Sequence, residues 1–135
     1  MKKTKKPSKS TLKKKLWKLV SEYVRRRDSN QDEFAECVTC GDVRPWKELQ
    51  AGHFVGGRRN SILYELTNIH PQCYGCNVCK YGETLKYLDF MLEKYGQAEV
   101  TRLRSLNEKS VTFTIQDYEE MIVKFKEKIR SLGDT

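Results

Sequence analysis

The sequence predicts an α+β protein that is mostly helical, in which a small strand–strand–helix unit is flanked by N- and C-terminal helices. Three observations support this fold class. Apolar residues recur at helical spacing near both ends of the chain, two short half-apolar runs lie in its middle, and two Cys-x-x-Cys pairs bracket those runs. The first pattern is typical of amphipathic helices, the second of short strands, and the third of a compact cysteine-rich unit.

Length and charge restrict the organisation and the partner. A chain of 135 residues suffices for one domain with a modest core. We expect this domain at residues 11–135, with a core motif at 37–82 and C-terminal helices at 84–132. The formal charge of +8 predicts a polyanionic partner, nucleic acid first and an anionic membrane surface second. Because the chain has no apolar run that could span a bilayer and no signal peptide, we expect a cytoplasmic protein.

The N-terminal part divides into a basic tail and a helix. Residues 1–10 are rich in lysine, so we expect them to be disordered until they meet phosphate, or simply solvated. Apolar spacing predicts a helix from Thr11 to Arg27, with Ser10 or Thr11 as N-cap. Its basic face either contacts a phosphate backbone or stays solvated, and it consists of Lys13, Lys14, Lys18, Arg25 and Arg26. The polar run 28–36 is expected to be a linker.

The middle of the chain predicts two strands and the start of a helix. The half-apolar runs 49–55 and 62–66 are expected to be the strands, separated by a flexible basic loop at 56–61. Residues 68–75 are expected to form a turn. A helix is then expected to begin near Cys76, with Asn77 and Lys80 in its first turn.

Three further helices are predicted in the C-terminal part. The first covers 85–95, with Thr84 as its cap and Gly96 as its stop, and the second covers 97–106. The last begins with the capping-box pattern Thr114-x-x-Asp117. Its apolar stripe comprises Ile115, Tyr118, Ile122, Phe125, Ile129 and Leu132. We expect this stripe to pack against the N-terminal helix, although its spacing also allows a dimer seam.

The two Cys-x-x-Cys pairs predict a metal site. Cys37 and Cys40 are separated by about thirty residues from Cys73 and Cys76, a spacing typical of four-thiolate tetrahedral zinc. A zinc ion with four thiolate ligands has no open position, so its role would be structural. Cys79 extends the second pair and is an alternative to Cys76. We expect Cys76 to be the ligand and Cys79 to be an ordinary half-buried thiol.

His53 is the candidate base of a catalytic site. It ends the first predicted strand, beside Gly52 and before a glycine-rich loop. A histidine can accept a proton from water at neutral pH, and the small neighbour leaves room for a phosphate. The alternative is a structural histidine with both nitrogens hydrogen-bonded. The presence of Asn68, Asn77 and the four cysteines at matched spacing near His53 favours the catalytic interpretation.

These motifs resemble a known family. His53, Asn68 and the C-x-x-C-N run ending at Asn77, with the upstream C-x-x-C, resemble zinc-bearing HNH nucleases whose last motif letter is Asn. More narrowly, the stretches A-G-H-F, N-I-H-P-Q-C-Y-G-C-N and L-x-x-x-Y-G-Q-A-E-V resemble the NinG (Rap) recombination endonucleases of lambdoid phages. The similarity runs from about Cys37 to the C-terminal helix and omits the basic tail.

The resemblance implies a ββα-metal fold and a role for each motif residue. His53 would activate water for attack on a phosphodiester, Asn68 would orient the His53 ring by a hydrogen bond, and Asn77 would bind Mg²⁺ or Mn²⁺. It also implies a metal-dependent DNA endonuclease that cleaves branched recombination intermediates such as Holliday junctions, D-loops and flaps. Such an enzyme would act in the cytoplasm of the phage host, and two active sites for one junction would favour a homodimer.

One position departs from the family pattern. Many HNH enzymes place an Asp metal ligand directly before the base, where this chain has Gly52, so the ion would be held by Asn77, substrate and water. His70 is a candidate helper as ligand or acid, with a hydrogen-bonded turn histidine as the alternative. Three basic residues are candidates for phosphate contact, with plain surface charges as the alternative: Arg58, Arg59 and Lys80.

Rival functions remain open at this point. A generic HNH nicking or homing-type nuclease would prefer linear duplex DNA of a given sequence. A non-catalytic zinc module would bind DNA through its basic tail and helices, with the absent acid at Gly52 marking a lost site. A zinc-organised adaptor between proteins is the third rival, and DNA affinity that falls steeply with added salt would argue against it.

Overall fold

The computed structural model describes residues 6–133 and confirms an α+β fold that is mostly helical. In chain order the elements are α1 (Lys9–Arg27), β1 (Phe34–Glu36), β2 (Val43–Pro45), a 3₁₀ turn (Trp46–Glu48), β3 (Gln50–His53), α2 (Asn60–Leu63), a second 3₁₀ turn (Leu66–Asn68), β4 (Ile69–Gln72), a π-helical turn (Gly75–Cys79), α3 (Thr84–Lys94), α4 (Gln97–Asn107) and α5 (Ile115–Ser131). Each of the two sheets has two antiparallel strands, β1 with β2 and β3 with β4.

The β3–β4 hairpin lies at the centre of the fold. Its register pairs Gln50 with Gln72, Ala51 with Pro71, Gly52 with His70 and His53 with Ile69. Because side chains alternate along a strand, successive pairs point to opposite faces. Ala51 and Ile69 are buried in the core that α1 and α5 form. On the opposite face, His70 contacts Tyr87 of α3. The hairpin is therefore covered by helices on both sides.

Helices α1 and α5 provide the larger core. The buried residues that they contribute, at spacings of three and four, are Leu12, Leu16, Val20, Val24, Tyr118, Ile122 and Phe125. The predicted packing of the final helix against the N-terminal helix is confirmed for the centre of its stripe. The two ends of that stripe, Ile115 and Leu132, are exposed. The predicted capping box is confirmed, because Asp117 N donates to Thr114 Oγ1 and Thr114 N donates to the Asp117 carboxylate.

Two elements at the N-terminal end differ from the prediction. Helix α1 begins at Lys9, and its N-cap is Ser8, whose side chain accepts a hydrogen bond from Thr11 N. The end of the predicted basic tail is therefore helical, and residues 1–5 lie outside the described part of the chain. The predicted linker is also wrong at its end, because Phe34–Glu36 forms β1 and pairs with β2. The resulting hairpin carries the first cysteine pair in its turn.

The second predicted strand is misplaced. Residues 62–66 end α2 and begin a 3₁₀ turn, whereas the strand is Ile69–Gln72, within the segment that we predicted as a turn. All four residues of β4 are buried, including the polar His70 and Gln72. The polar residues and the proline of this strand are not typical of buried strands, so the sequence does not predict it. The strand is buried because distant segments pack against it. The helix expected at Cys76 is a π-helical turn, in which Lys80 N donates to Gly75 O at 2.9 Å.

Helices α3 and α4 are present as predicted and form a second core. Its buried residues are Phe54, Tyr87, Met91, Val100 and Leu103. Gly96 separates the two helices at a φ of +91°, which glycine adopts without strain. Thr84 is the first residue of α3 and not its cap, since Glu83 occupies the cap position without a side-chain hydrogen bond. Among the described residues, none of the helices combines the length and the apolar character needed to cross a membrane.

Candidate functional site

Four cysteine sulfurs converge between the β1–β2 hairpin and the π-helical turn. The Sγ atoms of Cys37, Cys40, Cys73 and Cys76 all lie within 4.8 Å of one another. Cys40 Sγ and Cys73 Sγ are 3.7 Å apart, close to the separation of about 3.8 Å that two thiolates have on a tetrahedral zinc ion. The donor set and spacing therefore fit a metal such as zinc. Cys76 belongs to this cluster, as expected of a ligand, whereas Cys79 is exposed and not half-buried.

Hydrogen bonds prepare one of these thiols for ionisation. Burial raises the pKa of Cys37, but donors including the Thr39 hydroxyl and nearby backbone groups outweigh it and lower that pKa to about 6. At Cys40, desolvation and then the neighbouring thiols of Cys37, Cys73 and Cys76 raise the pKa to about 12. Four close thiolates repel one another without a cation. A bound divalent metal would therefore be needed to keep all four ionised.

The ring of His53 is held in one tautomer. Its Nε2 atom lies 3.0 Å from the carbonyl oxygen of Leu63. Because a carbonyl can only accept, Nε2 carries the hydrogen and Nδ1 of the neutral ring keeps a free lone pair. Burial lowers the pKa of His53 below its usual 6.5, and the nearby Arg58 charge lowers it further. The ring is therefore neutral and basic at Nδ1 near pH 7.

Asn68 does not have the predicted contact with His53. Its side chain is fully buried, and it bonds instead to the backbone of Val55: Val55 N donates to Asn68 Oδ1 at 2.8 Å, and Asn68 Nδ2 donates to Val55 O at 3.1 Å. The predicted hydrogen bond from Asn68 to the ring is therefore wrong, and the carbonyl of Leu63 occupies that role. Asn68 fixes the backbone of the loop that follows His53.

Asn77 lies on the π-helical turn and faces the β3 strand. Its Nδ2 donates to Gln50 Oε1 at 2.7 Å, which turns its Oδ1 towards Gly52. A Cβ atom built on Gly52 would lie 3.0 Å from this oxygen. Asn77 Oδ1 accepts no hydrogen bond from the described part of the chain. The side chain of Asn77 therefore lies beside Gly52, the residue before His53.

A surface cleft of about 320 Å³ adjoins Asn77. Its lining comprises Trp17, Ser21, Arg25, Leu49, Gln50, Ala51, Arg58 and Asn77. The Trp17 ring stacks on His53, with 5.0 Å between ring centroids, and the Arg58 guanidinium lies 4.8 Å from the centroid of the Trp17 ring. The cleft is thus lined by Asn77 and by the cationic Arg58, and it is bounded by Trp17, which contacts the candidate base His53. These contacts place His53 beside the cleft that Asn77 lines.

The three basic residues predicted to contact phosphate have different positions. Arg58 is exposed and lines the cleft, in a left-handed conformation with a φ of +52°. Arg59 points away, because its Nη1 donates to the Asn107 carbonyl oxygen at the end of α4, at 2.7 Å. Lys80 is exposed just after the π-helical turn. The structure thus joins Arg58 to the site and gives Arg59 a structural contact.

His70 is a structural residue, and its predicted role as ligand or acid is wrong. It is fully buried, and its ring nitrogens lie 3.0 Å from Tyr87 Oη and 2.8 Å from Tyr95 Oη. Tyr87 Oη also donates to Gly52 O at 2.8 Å. Burial lowers the pKa of His70 to about 3, so the ring stays neutral. It connects α3 to the backbone beside His53.

The sequence matches the family model described as "NinG: Bacteriophage Lambda NinG protein" over residues 1–134. The chain belongs to the NinG family. This confirms the family-level part of the resemblance and extends it, since the match includes the N-terminal segment that the motif comparison omitted. No solved structure gives a significant match.

Curated NinG proteins of several phages are similar to this chain. Protein ninG of Salmonella phage P22 is 26% identical over 117 residues, which is 86% of this chain and 55% of that protein. Protein ninG of Escherichia phage lambda is 25% identical over 117 residues, which is 86% of this chain and 54% of that protein. This NinG-family chain therefore spans about half the length of the curated relatives that it matches.

The sequence of this NinG-family chain does not by itself assign two residues to the site. The helical pattern places Trp17 on neither the apolar nor the basic face, and it groups Arg25 with the other basic residues. In the structure Arg25 Nη1 donates to Leu49 O at 3.4 Å, and Arg25 lines the cleft together with Ser21 and Trp17. The spacing of four between positions 17, 21 and 25 is the signal for this shared face. Only the position of β3 shows that this face adjoins the site.

Proposed function

We propose that this NinG-family protein is a metal-dependent DNA endonuclease that hydrolyses phosphodiester bonds. The observation that carries this proposal is the hydrogen bond between His53 Nε2 and Leu63 O. It leaves Nδ1 of a neutral ring free to accept the proton of an attacking water molecule, which is the task of a general base. The pKa of His53, lowered mainly by burial, keeps this nitrogen unprotonated at neutral pH.

Asn77 fits the role of a ligand for a divalent cation. Magnesium and manganese prefer oxygen ligands, and magnesium retains several waters, so few protein ligands suffice when phosphate oxygens join them. The Oδ1 atom of Asn77 is free of hydrogen bonds within the described chain and faces Gly52. A bound Mg²⁺ or Mn²⁺ would stabilise negative charge on the phosphate and on the leaving oxygen. The four cysteines would hold a structural zinc ion that fixes the π-helical turn carrying Asn77.

Charge around the cleft fits a nucleic-acid substrate. Arg58 and Arg25 line it, and the whole chain has a formal charge of +8. Lys14 and Lys18 are exposed on α1, the helix that contributes Trp17 to the same cleft. Such cations bind DNA phosphates mainly by releasing counterions, and the resulting affinity falls steeply with salt.

We further propose branched recombination intermediates, such as Holliday junctions, D-loops and flaps, as the substrate class. This part rests on the resemblance to NinG recombination endonucleases. A protein that cleaves both strands of a junction needs two active sites, which favours a homodimer, and a phage protein of this kind would act in the host cytoplasm.

A cleavage panel tests the proposed function. The full chain, with its zinc content measured, is incubated with a four-way junction, a flap and linear duplex of the same sequence, each with Mg²⁺ or Mn²⁺. We expect cleavage of the branched DNAs by the unmodified protein. The His53→Ala variant should cleave about a hundredfold more slowly or slower still, since a general base typically contributes at least that factor to the rate. It should still bind zinc and DNA.

Other outcomes of the panel identify a different function. Equal cleavage of linear duplex would favour a generic HNH nicking or homing-type nuclease. Binding to all DNAs without cleavage by either ion would favour a non-catalytic zinc module, for which the absent acid at Gly52 is the supporting observation. Unchanged cleavage by His53→Ala would exclude His53 as the base.

A further inference from the structure

Gln72 is a buried polar residue whose two ends have different surroundings. The residue is fully buried. Its Nε2 donates to Gly82 O at 2.9 Å and to Thr39 Oγ1 at 3.2 Å. Because the carbonyl of Gly82 can only accept, the nitrogen must be on that side, and this fixes the orientation of the carboxamide. The oxygen Oε1 on the other side has no hydrogen-bond partner in the described chain.

The unpaired oxygen of Gln72 lies against Gly52. A Cβ atom built on Gly52 would lie 1.8 Å from Gln72 Oε1 and 3.0 Å from Asn77 Oδ1. These two distances share one end, so the two oxygens are at most 4.8 Å apart, and any separation up to about 4.2 Å would let one Mg²⁺ contact both. The amide nitrogen of Asn77 is engaged by Gln50 Oε1 at 2.7 Å. Both side chains therefore direct their oxygens towards Gly52.

Two carboxamide oxygens beside each other, without a donor between them, are unfavourable. Each oxygen carries partial negative charge. A buried acceptor without a partner also loses its hydrogen bonds to water and gains none from the protein. A divalent cation between the oxygens would remove both costs, and carboxamide oxygens are ligands that Mg²⁺ and Mn²⁺ accept. The space that an acid side chain at position 52 would need is already filled by Gln72.

We propose that Gln72 Oε1 is a second protein ligand of the catalytic divalent cation, beside Asn77 Oδ1. This inference rests on the proposed function for the presence of that cation. It replaces the expectation that Asn77 is the sole protein ligand. Gln72 reaches the metal from β4, across the hairpin, and takes the place that an acid directly before the base has in many HNH enzymes. Two neutral ligands make affinity modest until DNA phosphate joins them.

Direct Mn²⁺ binding tests the proposal without DNA and without catalysis. The zinc-loaded full chain is titrated with Mn²⁺, and free Mn²⁺ is followed by its electron paramagnetic resonance signal. We expect Gln72→Met, which keeps the volume and removes the oxygen, to raise the Mn²⁺ Kd about tenfold or more, at least the effect of losing an outer-shell partner. Gln72→Glu should lower the Kd, because a carboxylate oxygen takes the amide position. Zinc content is measured for each protein.

A merely structural role for Gln72 predicts a different pattern. Both substitutions lose the hydrogen bond to Gly82 O, so both would then leave Mn²⁺ affinity unchanged or weaken it alike, and either result overturns the proposal. Gln116→Ala is the matched control, because the side chain of this exposed glutamine bonds to Glu120 alone among the described residues. This variant should bind Mn²⁺ as the unmodified chain does.

A compensating pair decides the matter if Gln72→Met loses zinc. Gln72→Ala vacates the space beside Gly52, so the double variant Gly52→Asp with Gln72→Ala can accommodate the acid. We expect the double variant to bind Mn²⁺ more tightly than Gln72→Ala alone, and no gain would overturn the proposal. Cleavage assays test the endonuclease function separately. If the unmodified protein cuts DNA while the Gln72 variants bind Mn²⁺ normally, only the role of Gln72 as a ligand is refuted. Protein that binds Mn²⁺ through Gln72 yet cuts no DNA refutes only the endonuclease function.

Discussion

The Nε2 atom of His53 lies 3.0 Å from the carbonyl oxygen of Leu63, ten residues further along the chain. This hydrogen bond connects the end of β3 to the end of α2. It sets the tautomer of the imidazole through a backbone carbonyl and not through a side chain. Asn68 acts one step away, because it holds the loop backbone at Val55.

The pKa of His53 should be lower than its usual 6.5. Burial is the main cause, and the Arg58 charge adds to it. Because the proposed base must be neutral, the cleavage rate should rise with pH through this pKa and level off by pH 7. Nuclear magnetic resonance titration of the His53 ring measures the pKa directly. Arg58→Ala should raise it slightly and Arg59→Ala should not; an acidic limb centred above pH 6.5 would contradict this account.

His70 should make stability depend on pH. Burial lowers the pKa of His70 in the folded protein to about 3. The contribution of His70 to the free energy of unfolding is therefore complete above its pKa in the unfolded chain, about 6.5, and is lost as the pH falls towards 3. The stability advantage of the unmodified protein over His70→Gln should therefore narrow by about 2 kcal/mol between pH 7 and pH 5. Guanidinium unfolding measures both proteins, and zinc release affects both alike. A difference independent of pH would show that His70 titrates normally.

Asn68→Ala should destabilise the protein and leave the tautomer of His53 unchanged. The substitution removes both hydrogen bonds to Val55, at a cost of about 3 kcal/mol in the free energy of unfolding. The control is Asn60→Ala, which also removes two side-chain hydrogen bonds, one to Val111 O and one from Lys13 Nζ, but at a less buried position. Chemical denaturation compares the two variants. If ¹⁵N chemical shifts of the His53 ring report another tautomer in Asn68→Ala, the side chain acts on the ring after all.

Cys76→Ser should lose the structural metal, and Cys79→Ser should keep it. Cys76 belongs to the cluster of four sulfurs within 4.8 Å, whereas Cys79 is exposed outside it. Metal analysis of the purified proteins should find one zinc per chain in Cys79→Ser and in the unmodified protein. A chelator should destabilise the unmodified protein and Cys79→Ser, which hold zinc, and should have little effect on Cys76→Ser, which lacks it. Equal zinc loss from both variants would mean that Cys79 is also a ligand.

Arg58→Ala should weaken DNA binding more than Arg59→Ala. Arg58 lines the cleft, whereas Arg59 donates to the carbonyl of Asn107. Loss of one phosphate contact should reduce the slope of log K against log salt by about one. Fluorescence anisotropy at several salt concentrations measures that slope. A larger change for Arg59→Ala would place the DNA on the side of α4 instead.

Local patterns were sufficient to predict much of this protein. The helix periodicities, the Thr114–Asp117 capping box and the stop at Gly96 depend on residues close in the sequence. The two Cys-x-x-Cys motifs predicted the cluster of four cysteines, because each pair is close in the sequence and the fold has only to bring the two pairs together. The stretch containing Gly52, His53 and Asn77 could likewise be identified as the candidate site.

The tertiary structure alone decided which polar groups serve the site. Strand β4 reads as a turn because its buried residues, His70 and Gln72, are polar and find their partners on α3, Thr39 and Gly82. The role expected of Asn68 is taken by the Leu63 carbonyl, and Trp17 reaches His53 from α1. Sequence spacing determines local geometry, but the partner of a buried polar group depends on which distant segments pack beside it.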